Sequence, residues 1–448
     1  MKKDQKQRLL ALGSENLAEA LLTLATRSES ASAMVEQLIA TPDEKHAGFK
    51  KKLASLKRSR RFIDWREVDG FANQLEMLLD DLQACAGDSL TGVEMLAAFF
   101  EADNSIFNRC DDSSGHVGGV FCRAREMFVD YARRCENKKK VAAILLKLNK
   151  VDDFGVRIEL MGYAQQCGLP EAQMRLMVVE FQKRADKAPD DYQKRHHLML
   201  IEFLAQQLKD AELFEATRIA SSGTLSTAAY IDIARVYFEQ GNIQTAQARL
   251  KQIPENETFQ ADKRDKLWLE IYQQQGDTKK LSQLLTRCFQ QNHSVDSLQQ
   301  LLDVIGEDKR DQIVSEEVDL IVGQAELSTS DAEFLIAVDK TDEAESYLLS
   351  HADKLNGDRY GSLLSLAKAM EAEERYLVVS LIYRSLLLSI LKRAYAKSYL
   401  YGARYLKKLD KLAGFIDDWQ CFENHKDFKE QLYQAHGRKR SFWSKYEV

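Results

Sequence analysis

Between Tyr230 and Leu285 the apolar positions fall into two successive helical patterns, each interrupted by a glycine, and the two glycines stand 35 residues apart. In the first pattern Tyr230, Ile233, Ala234 and Tyr237 recur at three- and four-residue intervals, which places them on one face of a helix. Gly241 ends that helix, because glycine accepts a left-handed backbone without a Cβ clash. A second helix with Ala246 and Leu250 on one face runs to Ile253-Pro254. The second pattern repeats the first: Trp268, Leu269 and Tyr272 precede Gly276, and Leu281 and Leu285 follow it. Relative to each glycine, an aromatic lies four before, a small or apolar residue five after, and an apolar residue nine after.

That spacing resembles the tetratricopeptide signature, whose period is about 34 residues. The resemblance implies stacked helical hairpins of the α-solenoid kind. The register continues to Gly306, Asp339 and Glu374. Ala344 and Leu348 follow Asp339, and Val379 and Tyr383 follow Glu374, at the same offsets of five and nine. Upstream the helical patterns are less regular. Two short helices are expected within residues 5–41, the first capped by Ser14 and the second holding Met34–Ile39. Phe49, Leu53, Leu56 and Ile63 share a face in a helix over 49–65. Further amphipathic stretches cover Val68–Leu82, Leu90–Ile106, Phe121–Arg134, Val141–Leu148, Ile158–Gln166 and Glu171–Lys187. Ala188-Pro189-Asp190-Asp191 interrupts the pattern and predicts a boundary between an N-terminal helical domain (1–187) and a repeat domain (192–448). The expected fold class is all-α: stacked helical hairpins in a TPR-like α-solenoid, preceded by an irregular N-terminal helical domain.

Composition agrees with helices. Four prolines and 21 glycines in 448 residues, with 29% charged residues, leave little material for a turn-rich β protein. No apolar run approaches the ~18 residues needed to cross a bilayer. Glu15 and Glu19 interrupt what would be the apolar core of a secretory signal, so a cytoplasmic start is expected. Seven cysteines without a C-x-x-C pair fit reduced thiols. Charge is distributed unevenly: residues 1–62 and 390–448 each hold 13 Lys/Arg against 7 Asp/Glu, whereas 63–389 holds 37 against 55. Two basic ends thus flank an acidic middle, a distribution that bears on partners rather than on fold.

Three stretches carry candidate chemistry. In a helix over 390–412, Lys392, Arg393, Lys397, Arg404, Lys407, Lys408 and Lys411 fall within an arc of about 160° at roughly 100° per residue. Tyr395 and Tyr399 line one edge of this stripe, Tyr401 and Tyr405 the other. Such a face can neutralise phosphates while tyrosines stack on bases, can dock on an acidic protein or on the chain's own acidic middle, or can simply be solvated. The loop Asp111-Asp112-Ser113-Ser114-Gly115-His116 offers carboxylates, hydroxyls and a titrating imidazole. Aspartates and serines ahead of a helix also serve as caps. The basic run from Lys50 to Arg61 holds seven cations and no acid, wrapped around its helix rather than aligned. The ending His436-Gly437-Arg438-Lys439-Arg440-Ser441-Phe442-Trp443 suits an anchored tail, with Phe442 and Trp443 in apolar surface. Cys110, His116, Cys122 and Cys135 lack the close pairs of structural zinc sites. No phosphate loop, dinucleotide fingerprint, nucleophile elbow or H-E-x-x-H occurs, so no cofactor or metal is assigned.

Three blocks resemble a bacterial family catalogued as a domain of unknown function: KKLASLKRSRRFIDW (51–65) with FNRCDDSSGHVGGVF (107–121), VDDFG (151–155), and YRSLLLSILKRAYAKSYLYGARYLKKLDKLAGFIDDW (383–419) with HGRKRSFW (436–443). The resemblance implies an all-helical protein with TPR-like repeats and assigns no catalytic residue. The leading expectation is a non-enzymatic scaffold or adaptor binding a protein or peptide. The second is a nucleic-acid-binding protein using Lys392, Arg393, Lys397, Tyr401, Arg404, Lys407, Lys408 and Lys411. The third is an enzyme or ligand site built from Asp111, Asp112, Ser113 and His116.

Overall fold

The structure is a computed structural model that describes residues 10–28, 31–32, 35, 39, 41–150 and 152–447. Among these residues there are helices and no β-strand; the nearest approach to a sheet is one isolated bridge, between Ile63 and Cys110. The contacts divide the chain into two compact units, Met1–Arg264 and Asp265–Val448. The break in pattern at 188–191 therefore lies inside the first unit. Pro170 ends in extended backbone ahead of the helix Glu171–Asp186, and Asp190 caps the next, Asp191–Gln207, by accepting the Gln193 N–H at 2.7 Å. Those two helices pack on each other, and Phe181, Leu198 and Leu204 belong to the same core as Phe49 and Leu96.

The first unit opens with the helix Gly13–Ala25. Ser14 lies inside this helix rather than capping it; Leu12 occupies the cap position, and no residue of the helix is buried. Most of the expected helix Met34–Ile39 lies outside the described residues. The next helix, Pro42–Arg58, starts with a capping box in which Thr41 and Glu44 exchange hydrogen bonds. It stops at Arg58, earlier than the 49–65 pattern predicts. Ser59 is already extended, and the Ile63 N–H donates to the Arg109 carbonyl at 2.8 Å while the Asp111 N–H donates to the Ile63 carbonyl at 3.0 Å. Ile63 is buried by this bridge, not by a helical face. Val68–Cys85 and Ser89–Phe100 pack against His116–Arg134, and Phe99, Phe100, Phe121 and Phe128 form an aromatic cluster between them.

In both units helices pack in neighbouring pairs. Several pairs share one turn. Lys209, Gly241, Gly276, Asp339 and Glu374 all have positive φ, between 52° and 92°. After each, the next residue's N–H reaches back to the carbonyl five residues before it. Asp210 bonds Ala205, Asn242 bonds Tyr237, Asp277 bonds Tyr272, Lys340 bonds Leu335 and Arg375 bonds Met370, at 2.8–3.0 Å. This is the Schellman stop, which satisfies orphan carbonyls and reverses the chain. Asp210, Asn242 and Asp277 then cap the following helix through their side chains. The turn recurs at Asp339 and Glu374, where no glycine stands, and also at Lys209, which the glycine register does not include. Gly306 departs from it: its φ and ψ are 105° and 139°, and it leads into a 3-10 turn instead.

Beyond Gly241, Gly276, Asp339 and Glu374 the residues five and nine positions on are buried or half-buried. Ala246, Leu250, Leu285, Ala344, Leu348 and Val379 are buried. The second unit holds a main core from Leu285 to Leu412 and a C-terminal core built on Leu387, Leu406, Leu409, Leu432 and Phe442. Because an L-residue with a Cβ is costly in left-handed backbone, Gly241→Ala should lower stability by about 1 kcal/mol. Glu374→Gly should not lower it. Urea unfolding of the two variants reads the difference, and an equal loss in both would mean that the left-handed conformation is not what constrains the turn.

Candidate functional site

The basic stretch 390–412 is two helices rather than one. Tyr376–Arg393 ends at Ala394, whose φ of 54° is left-handed, a 3-10 turn follows over Ala396–Ser398, and a new helix spans Tyr399–Leu412. The two pack against each other. Lys392 and Arg393 thus sit at the end of one helix while Arg404, Lys407, Lys408 and Lys411 sit on its neighbour, and the single continuous stripe expected from the sequence does not form. Tyr399, expected at an edge of the stripe, is buried against Phe442. Tyr405 is half-buried beside Tyr383.

What remains is a shorter face. Leu400, Arg404, Lys407 and Lys411 follow a 4-3-4 spacing and are all exposed, as are Tyr395, Lys397 and Tyr401. The Arg404 guanidinium lies over the Tyr401 ring, 5.9 Å from its centroid. Two of the cations are engaged by the acidic middle of the sequence: Lys408 pairs with Glu371, and Arg393 lies 3.5 Å from Asp358. Among the described residues no acidic side chain pairs with Lys392, Lys397, Arg404, Lys407 or Lys411.

The opposite face of this helix fixes its presentation. Tyr399, Gly402, Ala403, Leu406, Leu409 and Leu412 are buried. Gly402 lets the Phe442 ring come close; a Cβ there would stand 3.2 Å from it. Asp410, the one acid in Tyr399–Leu412, turns inward, where its Oδ1 accepts from His425 Nε2 and Lys429 Nζ, both at 2.8 Å, and its Oδ2 accepts from the Tyr446 hydroxyl at 2.5 Å. Burial would raise this carboxyl, but the hydrogen bonds from Lys429, Tyr446 and His425 outweigh it and hold Asp410 below the usual carboxylate range. In the tail Phe442 is fully buried, and Trp443 Nε1 donates to the His436 carbonyl at 3.0 Å. Arg384 braces the same region, its guanidinium between Trp419 and Phe428 with Nη1 donating to the Glu423 carbonyl at 2.7 Å. Burial lowers its pKa to about 10.

At the 111–116 loop the side chains are spent on the backbone. The Asp112 carboxylate accepts from the Val117 and Gly118 N–H groups at 2.9 and 2.8 Å, capping the helix His116–Arg134. Asp111 accepts from the Ser113 N–H at 3.2 Å, and the His116 imidazole contacts Asp69 on the helix Val68–Cys85. Ser113 and His116 are exposed. Asp112 therefore has both oxygens in use, and the loop does not gather its four residues around a common point. Asp152 does the same job in the second acidic loop, accepting from Gly155, Arg157 and Ile158 N–H groups. Among the described residues no group of three or more His, Cys, Asp or Glu side chains is placed to hold a metal ion.

A family model matches residues 3–445 of this chain. The protein belongs to the family of unknown function DUF6880. No curated protein matches it. Among solved structures, a circular tandem repeat protein with novel repeat topology and enhanced subunit contact surfaces is 15% identical over 98% of each chain, with a TM-score of 0.16. The family supplies no chemistry to transfer, so the residues above stand on their own geometry.

The structure also joins residues that are far apart in the chain. His293, isolated in the sequence, is buried with Nδ1 3.0 Å from Asp331 Oδ1 and Nε2 3.2 Å from Glu317 Oε2, and Gln290 donates to the other Glu317 oxygen at 2.8 Å. Only an imidazolium can donate to both carboxylates. Burial opposes that charge, but the hydrogen bonds to Asp331 and Glu317 prevail and raise the His293 pKa above its ordinary 6.5. No local motif announces this clamp, since its members are 24 and 38 residues apart.

Two predictions follow from these sites. Asp112→Ala should lower stability by about 1–2 kcal/mol in thermal unfolding through loss of the helix cap. For His293, a folded pKa above the unfolded one stabilises fully below 6.5 and less as pH rises through the folded value. NMR titration of the imidazole should accordingly give a pKa above 6.5, and His293→Gln should flatten the loss of stability over that alkaline range. A measured value below the ordinary one would contradict the clamp.

Proposed function

We propose that this protein is a non-enzymatic adaptor that binds an acidic segment of a protein partner through the exposed face Leu400, Tyr401, Arg404, Lys407 and Lys411, with Lys397 at its edge. The observation that carries this reading is the pairing pattern. Lys408 and Arg393 have intramolecular acidic neighbours, whereas Lys397, Arg404, Lys407 and Lys411 have none among the described residues and stand beside exposed Tyr401 and Leu400. Cations next to aromatic and aliphatic surface suit a ligand that combines carboxylates with apolar side chains. The interruption at Ala394 supports a short acidic peptide over an extended nucleic-acid backbone, because it removes Lys392 and Arg393 from the row and shortens the track of charge. The helical pairs and the tail anchored by Phe442 provide a rigid base for such a surface. A cytoplasmic setting is part of the same proposal.

The test is a comparison of two probes of equal charge, a labelled Glu/Asp-rich peptide containing leucines and a single-stranded DNA oligonucleotide, in fluorescence anisotropy. The peptide should bind more tightly, and the triple reversal Arg404→Glu, Lys407→Glu, Lys411→Glu should weaken it by at least about tenfold, or 1.4 kcal/mol. Lys408→Glu should instead chiefly lower stability through its contact with Glu371. Preferential binding of the oligonucleotide, lost in the same triple variant, would replace the protein-partner reading with nucleic-acid binding. Indifference of both probes to the triple variant would remove the face from consideration. Affinity purification from the native host, with and without nuclease, should recover a nuclease-resistant partner with the wild type and not with the variant.

A further inference from the structure

Arg109 is the most unusual cation in the first unit. It is 8% exposed, and among the described residues no protein group hydrogen-bonds its Nε or Nη2. Its guanidinium lies 4.7 Å from the centroid of the Phe71 ring. Burial lowers its pKa, with only the Cys110 thiol acting in the opposite direction. No carboxylate therefore compensates the charge. The half-buried Arg157 is treated differently and forks onto the buried Asp103. Burying an uncompensated guanidinium is costly, and an arginine presents five N–H donors in a fork that suits an oxyanion.

Arg109 lines a cleft of about 340 Å³ between the end of the basic segment and the helix Val68–Cys85. Ser55 and Ser59 contribute hydroxyls to its wall, and Gln74 a carboxamide. Among the described residues none of these three side chains hydrogen-bonds another protein group. Arg61 stands at the same wall, bound to Glu67 at 2.5 Å, with both side chains at least half exposed. An exposed pair of this kind is weak, and its arginine can exchange partners at little cost. Leu56, Ile63 and Phe71 provide the apolar part of the lining. The cleft exists because the chain leaves the helix at Arg58 and is pinned at Ile63 to the Arg109–Asp111 backbone, which brings Arg109 beneath the basic segment.

We propose that this cleft is a binding site for a small molecule that carries an oxyanion, a carboxylate or a phosphate, on a flat apolar body. The oxyanion sits on the Arg109 guanidinium, with Ser55, Ser59, Gln74 and Arg61 as further donors, and the body lies against Leu56, Ile63 and Phe71. A volume of this order is at the small end of those used for metabolite-sized ligands. The site lies in the first unit, the cationic face belongs to the second, and the proposal does not rest on the function proposed for that face.

Isothermal titration calorimetry of the full chain with orthophosphate, phenyl phosphate and benzoate tests the proposal. Saturable binding of phenyl phosphate or benzoate is expected, and which of the two binds tells phosphate from carboxylate as the preferred head group. Arg109→Met keeps a long stem against Phe71 and removes the donors; it should weaken binding at least about tenfold, the loss expected of a charge-assisted contact. Gly70→Leu is the second variant. Gly70 lies in a helix and lines the cleft, and a Cβ there would meet no atom within 4 Å, so the substitution favours the helix while narrowing the site. It should reduce binding to a similar degree even if Arg109→Met proves unstable by circular dichroism. Lys51→Gln, an exposed cation of the same segment outside the lining, should leave binding unchanged. No saturable heat with any of the three anions, or binding that survives both Arg109→Met and Gly70→Leu, would overturn the proposal.

Discussion

The left-handed residue that closes five of the helical hairpins is the constraint on which the repeated part of this protein depends. At Lys209, Gly241, Gly276, Asp339 and Glu374 a single backbone conformation stops one helix and allows the hydrogen bond that aims the next. After the last four of these, the apolar residues five and nine positions later arrive against the preceding helix, and burial there supplies the stabilisation that short helices lack alone. Three of the five positions carry side chains and bear the strain of left-handed backbone; the hydrogen bonds and packing around them outweigh it.

The C-terminal cationic face is a product of the same logic at one remove. Its helix buries Leu406, Leu409 and Leu412 and commits its only acid, Asp410, to three donors from the following helices. With the acid inside, the outward side is left cationic. The anchoring of Phe442 and the stacking of Arg384 between Trp419 and Phe428 hold these last helices in place.

Buried charge in this protein follows two patterns. Asp103 with Arg157, and His293 with Asp331 and Glu317, are compensated pairs or triads that join segments distant in the chain. Arg109 and Arg384 are buried on aromatic rings, and among the described residues neither guanidinium is hydrogen-bonded to a carboxylate. Arg384 donates from one nitrogen to a backbone carbonyl, whereas Arg109 opens onto the cleft beside the basic segment.

Periodicity along the chain was sufficient to establish an all-helical protein and the pair of hairpins at Gly241 and Gly276, because both depend on residues within a few turns of one another. The same local reasoning read the aspartates of the 111–116 loop as possible caps, and Asp112 accepts from two N–H groups in the first turn of the following helix. It ran a helix through Ala394 and through Ser59, since nothing in an apolar pattern shows that a backbone has turned left-handed or become extended. It placed a boundary at 188–191, while the contacts divide the chain at 264–265. Tertiary structure alone decided which cations are paired, that His293 meets two carboxylates, and that Arg109 lies under the basic segment. Those facts depend on groups brought together from tens of residues away, and charge and burial at a point in space are not properties of the local sequence.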